Sequence, residues 1–279
     1  MTMQMPRFES SEWQFMKPIS KKFYNLFVAH LFGLLPLVPV HAVEKVVIYG
    51  DEDYAPYCFI EDGQFKGMYV DILKKAALRL APEYAVELQP RPWTRGLAEL
   101  EKGYSFALFP PGLKKERAYI EPYSIPLYRE TVVLFCNEDF MKSSPKVFPD
   151  DFAGVKIGVN AGFLLSARLM DAARAGIVEL EAAKGNETNL KKLAAKRISC
   201  YASDRAAAIY SARRLRPFFD QAHFKLQEAV ELSGEDTFIA YSVNNNPPYK
   251  ADFIKRMNEA LQAIRKSGEI QRIENAYLQ

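Results

Sequence analysis

The sequence predicts an α/β fold in two lobes, each built on a mainly parallel sheet, with a cleft between the lobes. Three observations predict it. After residue 42, short apolar runs alternate with stretches of helical period, the pattern of strands joined by crossover helices. The segment Lys142–Asp150 (KSSPKVFPD) reads as a connector, and the strand–helix pattern restarts at Lys156. In open parallel sheets a ligand sits beyond the carboxyl ends of the strands, so two such sheets facing each other enclose a cleft.

The first 42 residues are set apart from the fold. Lys17, Lys21 and Lys22 form a basic stretch, Phe23 to Val40 is mostly apolar, and Val40-His41-Ala42 places small residues at the −3 and −1 positions of a cleavage site. This is the pattern of a secretory signal peptide. Met16 stands directly before the basic stretch, which suggests that residues 1–15 are a mis-assigned start. The alternative, an uncleaved anchor, is disfavoured by Pro36 and Pro39 near the end of the apolar run.

The elements then follow in order. Lys45–Tyr49 reads as a strand, and Tyr69–Leu80 carries Val70, Leu73, Ala77 and Leu80 close to helical period. Val86–Leu88 begins a second strand, and Thr94 is placed to cap a helix running to Lys102, ahead of Gly103. Ser105–Phe109 and Val132–Cys136 are further short apolar runs. In the second half, Lys156–Val159 is a strand, Gly162 precedes a helix ending near Gly176, and Glu187–Lys196 is helical. Ile198–Ala202 is a strand, with Ser203 or Asp204 at the N-cap of a helix over Arg205–Arg214. Thr237–Ser242 reads as a strand, and two helices, Ala251–Lys266 and Glu269–Tyr277, are split at Gly268. The expected division is a leader over 1–42, one lobe from 43–134 plus 240–279, and a second lobe over 135–239. The hinges are expected near Thr131–Phe135 and Asp236–Ala240.

Composition narrows the chemistry. The 279 residues are 49% apolar and 25% charged, which excludes a wholly disordered or coiled-coil chain. The 37 basic and 34 acidic residues leave +3; without residues 1–42 they become 33 and 32, or +1, so no nucleic-acid partner is expected. After residue 42 His223 is the only histidine, which leaves little for a histidine metal site or a Ser-His-Asp triad, and no metal or cofactor is expected. Cys58, Cys136 and Cys200 show no C-x-x-C spacing, and the sequence does not choose a pair among them.

Several motifs occur in a telling order. Tyr49-Gly50-Asp51 leads into Tyr54-Ala55-Pro56-Tyr57, followed by Gly67-Met68-Tyr69-Val70-Asp71, Pro92-Trp93 with Leu97 through Gly103, and Glu116-Arg117. Then come Tyr123-Ser124-Ile125-Pro126-Leu127-Tyr128, Lys196-Arg197 through Asp204, and the closing Ala260-Leu261, Gly268 and Ala276-Tyr277-Leu278. Together these resemble bacterial periplasmic solute-binding protein family 3, the receptors of polar amino-acid ABC importers, over nearly all of the chain after the leader. The resemblance implies a type II periplasmic-binding-protein-like fold and a periplasmic monomer. It also implies a small-molecule ligand and an ABC permease or a sensor at the inner membrane as partner.

The resemblance assigns roles that residue type makes reasonable. Arg117 would fork a ligand carboxylate through two charge-assisted hydrogen bonds; read alone, it is a solvated arginine beside Glu116. Asp204 would receive a ligand ammonium; read alone, it is a helix cap. Tyr54 and Trp93 would line the ligand with flat rings; read alone, they are core packing. The helix start at Gly162, with Phe163, would offer backbone donors to an anion. Asp51 and Asp71 read as structural. The sequence departs from the family pattern at Pro110 and Pro111, which have no N–H to donate, at Lys114 in place of Thr, and at Ser105 and Ser199 in place of Asp.

Three functions follow as expectations. The first is a binding protein, not an enzyme, that closes its lobes on a small charged ligand, an amino acid or related compound, for an ABC importer. The second is a periplasmic dehydratase-like enzyme of the same fold, for which Asp204 and Glu130 are the candidate acids. The third is a sensory binding module with no transport role.

Overall fold

The computed structural model describes residues 43–161, 166–218 and 225–279. The expected leader over 1–42 and the expected site residues Gly162 and Phe163 lie outside the described residues. Among the described residues the first element is β1 (Glu44–Asp51), in which Val46, Ile48 and Gly50 are buried at every second position, the period of a strand. β2 (Asp53–Tyr54), β3 (Cys58–Glu61) and β4 (Gln64–Lys66) make a small antiparallel sheet. β3 turns into β4 through Asp62-Gly63, with φ of 54° and 72°, the backbone that a two-residue hairpin loop requires.

α1 (Met68–Ala77) buries Met68, Tyr69, Val70, Ile72, Leu73 and Ala76. It starts behind Gly67, whose φ is 129° and where a Cβ would lie 2.4 Å from the Tyr57 carbonyl oxygen. Only glycine fits there. Asp71 in the first turn accepts a hydrogen bond from the Tyr277 hydroxyl at 2.8 Å, so its role is structural. β5 (Tyr84–Arg91) leads into α2 (Trp93–Glu101), with Pro92 at the capping position and no side-chain cap bond. Thr94, expected to cap this helix, sits inside its first turn, because Pro92, with φ −53° and ψ 130°, takes the capping position ahead of Trp93.

β6 (Ala107–Phe109), β7 (Ile120–Tyr123) and β8 (Tyr128–Cys136) follow, then the single turn α3 (Glu138–Met141). The second half holds β9 (Lys156–Asn160), α4 (Ala167–Arg174), β10 (Glu179–Ala183), α5 (Gly185–Ala194), β11 (Cys200–Asp204) and α6 (Arg205–Leu215). It continues with β12 (Gln227–Thr237) and β13 (Ala240–Ser242), so the single strand expected over Thr237–Ser242 is the end of one strand and the whole of another. α7 (Lys250–Lys266) and α8 (Glu269–Leu278) close the chain, separated at Gly268 with φ 72°.

Two five-stranded sheets repeat one pattern. The first runs β5-β1-β6-β13-β7 and the second β10-β9-β11-β8-β12. In each, the first three strands are parallel and the last two pairings are antiparallel. The antiparallel strands are those that carry the chain from one sheet to the other. β8 pairs with β12 along its whole length and with β11 over Val132–Cys136. The chain therefore changes sheet at Leu127–Tyr128, before the expected 134/135 boundary, and Thr131–Phe135 is strand interior. It returns at Thr237–Phe238, beside the first crossing: Leu127 N–H donates to the Thr237 carbonyl at 2.7 Å, and Ser124 N–H to that of Ile239 at 2.9 Å.

Each sheet has apolar packing on both faces. Val46, Ile48, Leu73, Phe253, Met257 and Leu261 fill one face of the first sheet, and Leu100, Leu108, Ile120 and Ala240 the other. Alternation along β8 sends Leu134 and Cys136 to one core of the second sheet and Val133 and Phe135 to the other. That alternation is why a short run of consecutive apolar residues reads as a buried strand.

The antiparallel register of β8 and β11 sets Cys136 directly opposite Cys200, and the two form a disulfide with Cα atoms 4.0 Å apart, while Cys58 remains a buried free thiol. The bond closes a loop across a sequence separation of 64. Replacing both residues by alanine is expected to lower the unfolding free energy by about 2–4 kcal/mol. A denaturant titration with an unchanged midpoint would refute this contribution.

Candidate functional site

The sequence-predicted site residues that are described all follow a parallel strand at its carboxyl end. Tyr54 lies just past β1, Trp93 past β5, Arg117 on the segment after β6, and Asp204 closes β11. This is where an open α/β sheet presents its ligand side chains. The structure sorts them into two groups.

Tyr54 and Asp204 belong to the first. The Tyr54 hydroxyl donates to Glu130 Oε2 at 2.5 Å, and the Tyr69 hydroxyl donates to Glu130 Oε1 at 2.6 Å. The Tyr57 hydroxyl donates to Asp204 Oδ1 at 2.8 Å. Thr237 Oγ1 donates to the Tyr69 hydroxyl at 2.9 Å, so a relay runs from Thr237 through Tyr69 to Glu130. The rings of Tyr57 and Tyr69 are stacked with centroids 4.9 Å apart, and Tyr54 and Tyr128 flank Tyr57 at 5.0 and 5.9 Å. Glu130 and Asp204 stand on β8 and β11, in the second sheet; Tyr54, Tyr57 and Tyr69 come from the segments beside β1. The network therefore joins side chains of both sheets at the crossing.

Burial governs the electrostatics of this group. It pushes the Glu130 carboxyl up from its ordinary 4.5 to about 8; the Asp204 charge adds to the rise, while the phenol bonds from Tyr54 and Tyr69 work against it. Burial likewise raises Asp204, opposed by its bonds from the Ala207 N–H and the Tyr57 hydroxyl. The same burial, beside these two carboxylates, pushes the phenols of Tyr54 and Tyr57 well above their usual range. Asp204 is also the N-cap of α6, accepting from the Ala207 N–H at 2.8 Å, so its cap role and its place in the network coexist.

Trp93 and Arg117 form the second group. The Arg117 guanidinium carbon lies 5.7 Å from the Trp93 ring centroid, and Nη1 donates to the Gly112 carbonyl at 3.4 Å. Its charge also partly offsets the burial that raises the phenols of Tyr119 and Tyr123. Among the described residues no hydrogen bond or ion pair joins Arg117 to Asp204, Glu130 or Tyr54. The groups meet through Gly112, whose backbone bridges to Thr237. A Cβ on Gly112 would overlap Glu235 Oε1.

Pro110 and Pro111 stand where backbone donors were missing by sequence, and the Pro111 carbonyl is used in the crossing, accepting from the Phe238 N–H at 3.2 Å. Asp51 accepts from the Asp53 N–H at 3.2 Å and organises its own loop, as its type suggested. Sequence reading named Tyr54 and Asp204 but not Tyr57, Tyr69 or Thr237 as site residues, and it weighed Glu130 only as an acid. The signal for Tyr57 and Tyr69 was present: both stand inside the quoted motifs, each an amphipathic ring with a polar tip.

The family model described as "Bacterial extracellular solute-binding proteins, family 3" matches residues 46–279. No curated protein sequence matches the chain significantly. Among solved structures, the chain is similar to substrate-binding domain 2 of Lactococcus lactis GlnP in open conformation, at 18% identity and TM-score 0.68, covering 84% of this chain and 95% of that one. It is similar to the L-cystine solute receptor of Neisseria gonorrhoeae in the unliganded open conformation, at 17% identity and TM-score 0.67, covering 85% and 94%. It is also similar to a histidine kinase sensor domain with similarity to periplasmic binding proteins, at 20% identity and TM-score 0.58, covering 85% and 96%. At these identities the likeness is one of fold.

The raised Glu130 carboxyl has a consequence for stability. The folded chain holds this proton more tightly than the unfolded chain does. Its contribution is therefore present in full below about pH 4.5 and is lost as pH rises to about 8. Glu130→Gln has no such proton. Between pH 5 and 8 the variant is expected to gain on the wild type by about 2–4 kcal/mol in unfolding free energy. Parallel stability profiles for the two proteins would contradict the assignment.

Proposed function

The chain belongs to the bacterial extracellular solute-binding proteins, family 3, and from that premise we propose that it captures a small charged ligand, an amino acid or related compound, and delivers it to an ABC importer. It binds reversibly and without turnover. The observation that carries this reading is the meeting of side chains from the carboxyl ends of both parallel sheets around one crossing. In this reading Arg117, backed by the Trp93 ring, holds a ligand carboxylate. Tyr54 and Asp204 hold the ligand's ammonium. In this reading Gly162 and Phe163 are ligand residues as well.

The lobes of this reading are 43–127 with 238–279, and 128–237. The hinge is the pair of crossings at Leu127–Tyr128 and Thr237–Phe238, which lie side by side. Two adjacent strands can flex together while the sheets stay rigid. The protein works in the periplasm, exported on a cleaved signal peptide over residues 1–42, as a monomer. The buried Cys136–Cys200 disulfide suits an oxidising compartment. A second reading, a sensory module, is favoured by the likeness to the histidine kinase sensor domain; in it the closed lobes signal to a partner at the membrane and no solute is passed on.

Thermal-shift screening of amino acids, polyamines and small organic acids tests the reading. A ligand at a hundredfold excess over its Kd stabilises the folded state by about 2.7 kcal/mol. Arg117→Ala is expected to abolish the shift from a carboxylate ligand. Full affinity in that variant would remove Arg117 from the site.

A further inference from the structure

We infer that α6 is a strap between the lobes: rooted in the core of the second sheet, it grips the first lobe through β3 and α8 and restrains rotation about the two crossings. This rests on the two-lobe hinge proposed above and names what limits its movement. A helix held between two bodies needs two separate contact faces, and the sequence of α6 provides them. Ala208, Ala212 and Leu215 fall on one side and pack in the second sheet's core with Val133, Phe135 and Tyr201. Ala206, Tyr210, Arg213 and Arg214 stand at i, i+4, i+7 and i+8, on the opposite side.

Each of these four meets the first lobe. Ala206 is buried in the core of the first sheet. The Tyr210 ring centroid lies 5.8 Å from that of Phe59. Arg214 donates to Glu61 Oε1 at 2.5 Å and to the Tyr210 hydroxyl at 3.2 Å. Arg213 donates to the Tyr277 carbonyl at 2.7 Å. The partners are themselves held in place. Phe59 and Glu61 are two apart on β3, so the strand period turns both toward α6. Lys66 of β4, opposite Phe59, also pairs with Glu61. Tyr277 is tied to the start of α1 by the Gly67 N–H and by Asp71. At the other end of α6, Asp204 caps the helix while accepting from the Tyr57 hydroxyl. The helix is thus attached to the first lobe from its first residue to its last turn. The Arg214–Glu61 pair is exposed and contributes little alone. The restraint lies in the set, because a rotation that lifts α6 from β3 breaks the ring contact and both guanidinium bonds together.

Pulsed electron paramagnetic resonance on the full chain tests this, with nitroxides on Lys102→Cys and Lys184→Cys, exposed positions of the first and second lobe. Cys58 is buried and the other two cysteines are bonded to each other, so the label goes to the introduced thiols. The otherwise wild-type chain is expected to show one main distance, with other arrangements below about 10% of the population. Replacing Tyr210, Arg213 and Arg214 together by alanine removes the grip and keeps a strong helix former at each position. This variant is expected to show a second distance population of comparable size, with its circular dichroism unchanged. Arg214→Glu sets a like charge against Glu61 and is expected to broaden the distribution; adding Glu61→Arg rebuilds the pair in reverse and restores it. That rescue is what a general loss of stability does not give. A single unchanged distance in the folded triple variant overturns the strap. Should the triple variant not fold, the charge pair decides: an unchanged distribution in Arg214→Glu, or a broadening that the reversed pair leaves in place, overturns it equally. No ligand enters the measurement, so either failure leaves the binding-protein reading to the thermal-shift screen.

Discussion

The pairing of β8 with β12 is the constraint from which the rest of the molecule follows. Tyr128 is opposite Thr237 at one end of this ladder and Cys136 is opposite Gln227 at the other. Because the two strands run antiparallel, the chain enters and leaves the second sheet at the same place. That fixes where the lobes join and leaves both parallel three-strand sets facing the crossing with their carboxyl ends. It also decides which side chains gather there. Glu130 is two residues past the entry, and Thr237 is the last residue before the exit. A ladder of the same length displaced by one residue would turn Glu130 to the face that holds Arg129 and Arg205.

Once Glu130 is fixed at the crossing, its environment sets its chemistry. A carboxylate withdrawn from water needs a proton, a cation or good donors. Two phenols provide donors, one to each oxygen, yet the carboxyl still stays protonated at neutral pH. Burial is the first reason, and the neighbour adds to it: Asp204 is itself withdrawn, and like charges in one low-dielectric space oppose each other's ionisation. The tyrosines are then more than packing. Tyr69 is tied to Thr237 on the second strand of the crossing, and the Tyr128 hydroxyl donates to Glu274 of α8 at 2.5 Å. The rings are held by hydrogen bonds at their tips and by stacking along their bodies. Tyr277 of α8 extends the same logic outward, its hydroxyl accepting from the Gly67 N–H and its carbonyl accepting from Arg213 of α6.

Much of this was legible in the sequence because it rests on local physics. Period-two and helical patterns marked β1, β9, β11, α1, α6 and the closing helices. Asp204 read as a cap because a carboxylate before an alanine-rich helix satisfies its first N–H groups. What stayed hidden depends on distance along the chain. β12 is polar on a sheet edge, with Gly234 inside it and two register irregularities, so it shows no clean alternation. The partner of Cys136 follows from an antiparallel register that no local pattern states. Glu130 was named only as a candidate acid; that it is withdrawn from water depends on the return of residues 54–69 against β8. The entry into the second sheet at Tyr128 has the same origin, since it is set by pairing and not by where the apolar run begins. The Asp62-Gly63 hairpin, by contrast, was written plainly in its dipeptide and passed over.

The split between the two groups of candidate residues has a physical reading of its own. Arg117 leans on Trp93 and on the Gly112 carbonyl, while the carboxylates stand on the far side of the Gly112–Thr237 bridge. A guanidinium placed directly among Glu130, Asp204 and Glu235 would have paired with them and quenched the site. Held by the Trp93 ring and the Gly112 carbonyl, it forms no ion pair with them among the described residues. A Cβ at Gly112 would meet the end of the Glu235 carboxyl at 2.1 Å, a contact this exposed side chain relieves by rotating, so it is the backbone bridge to Thr237 that holds the two segments together.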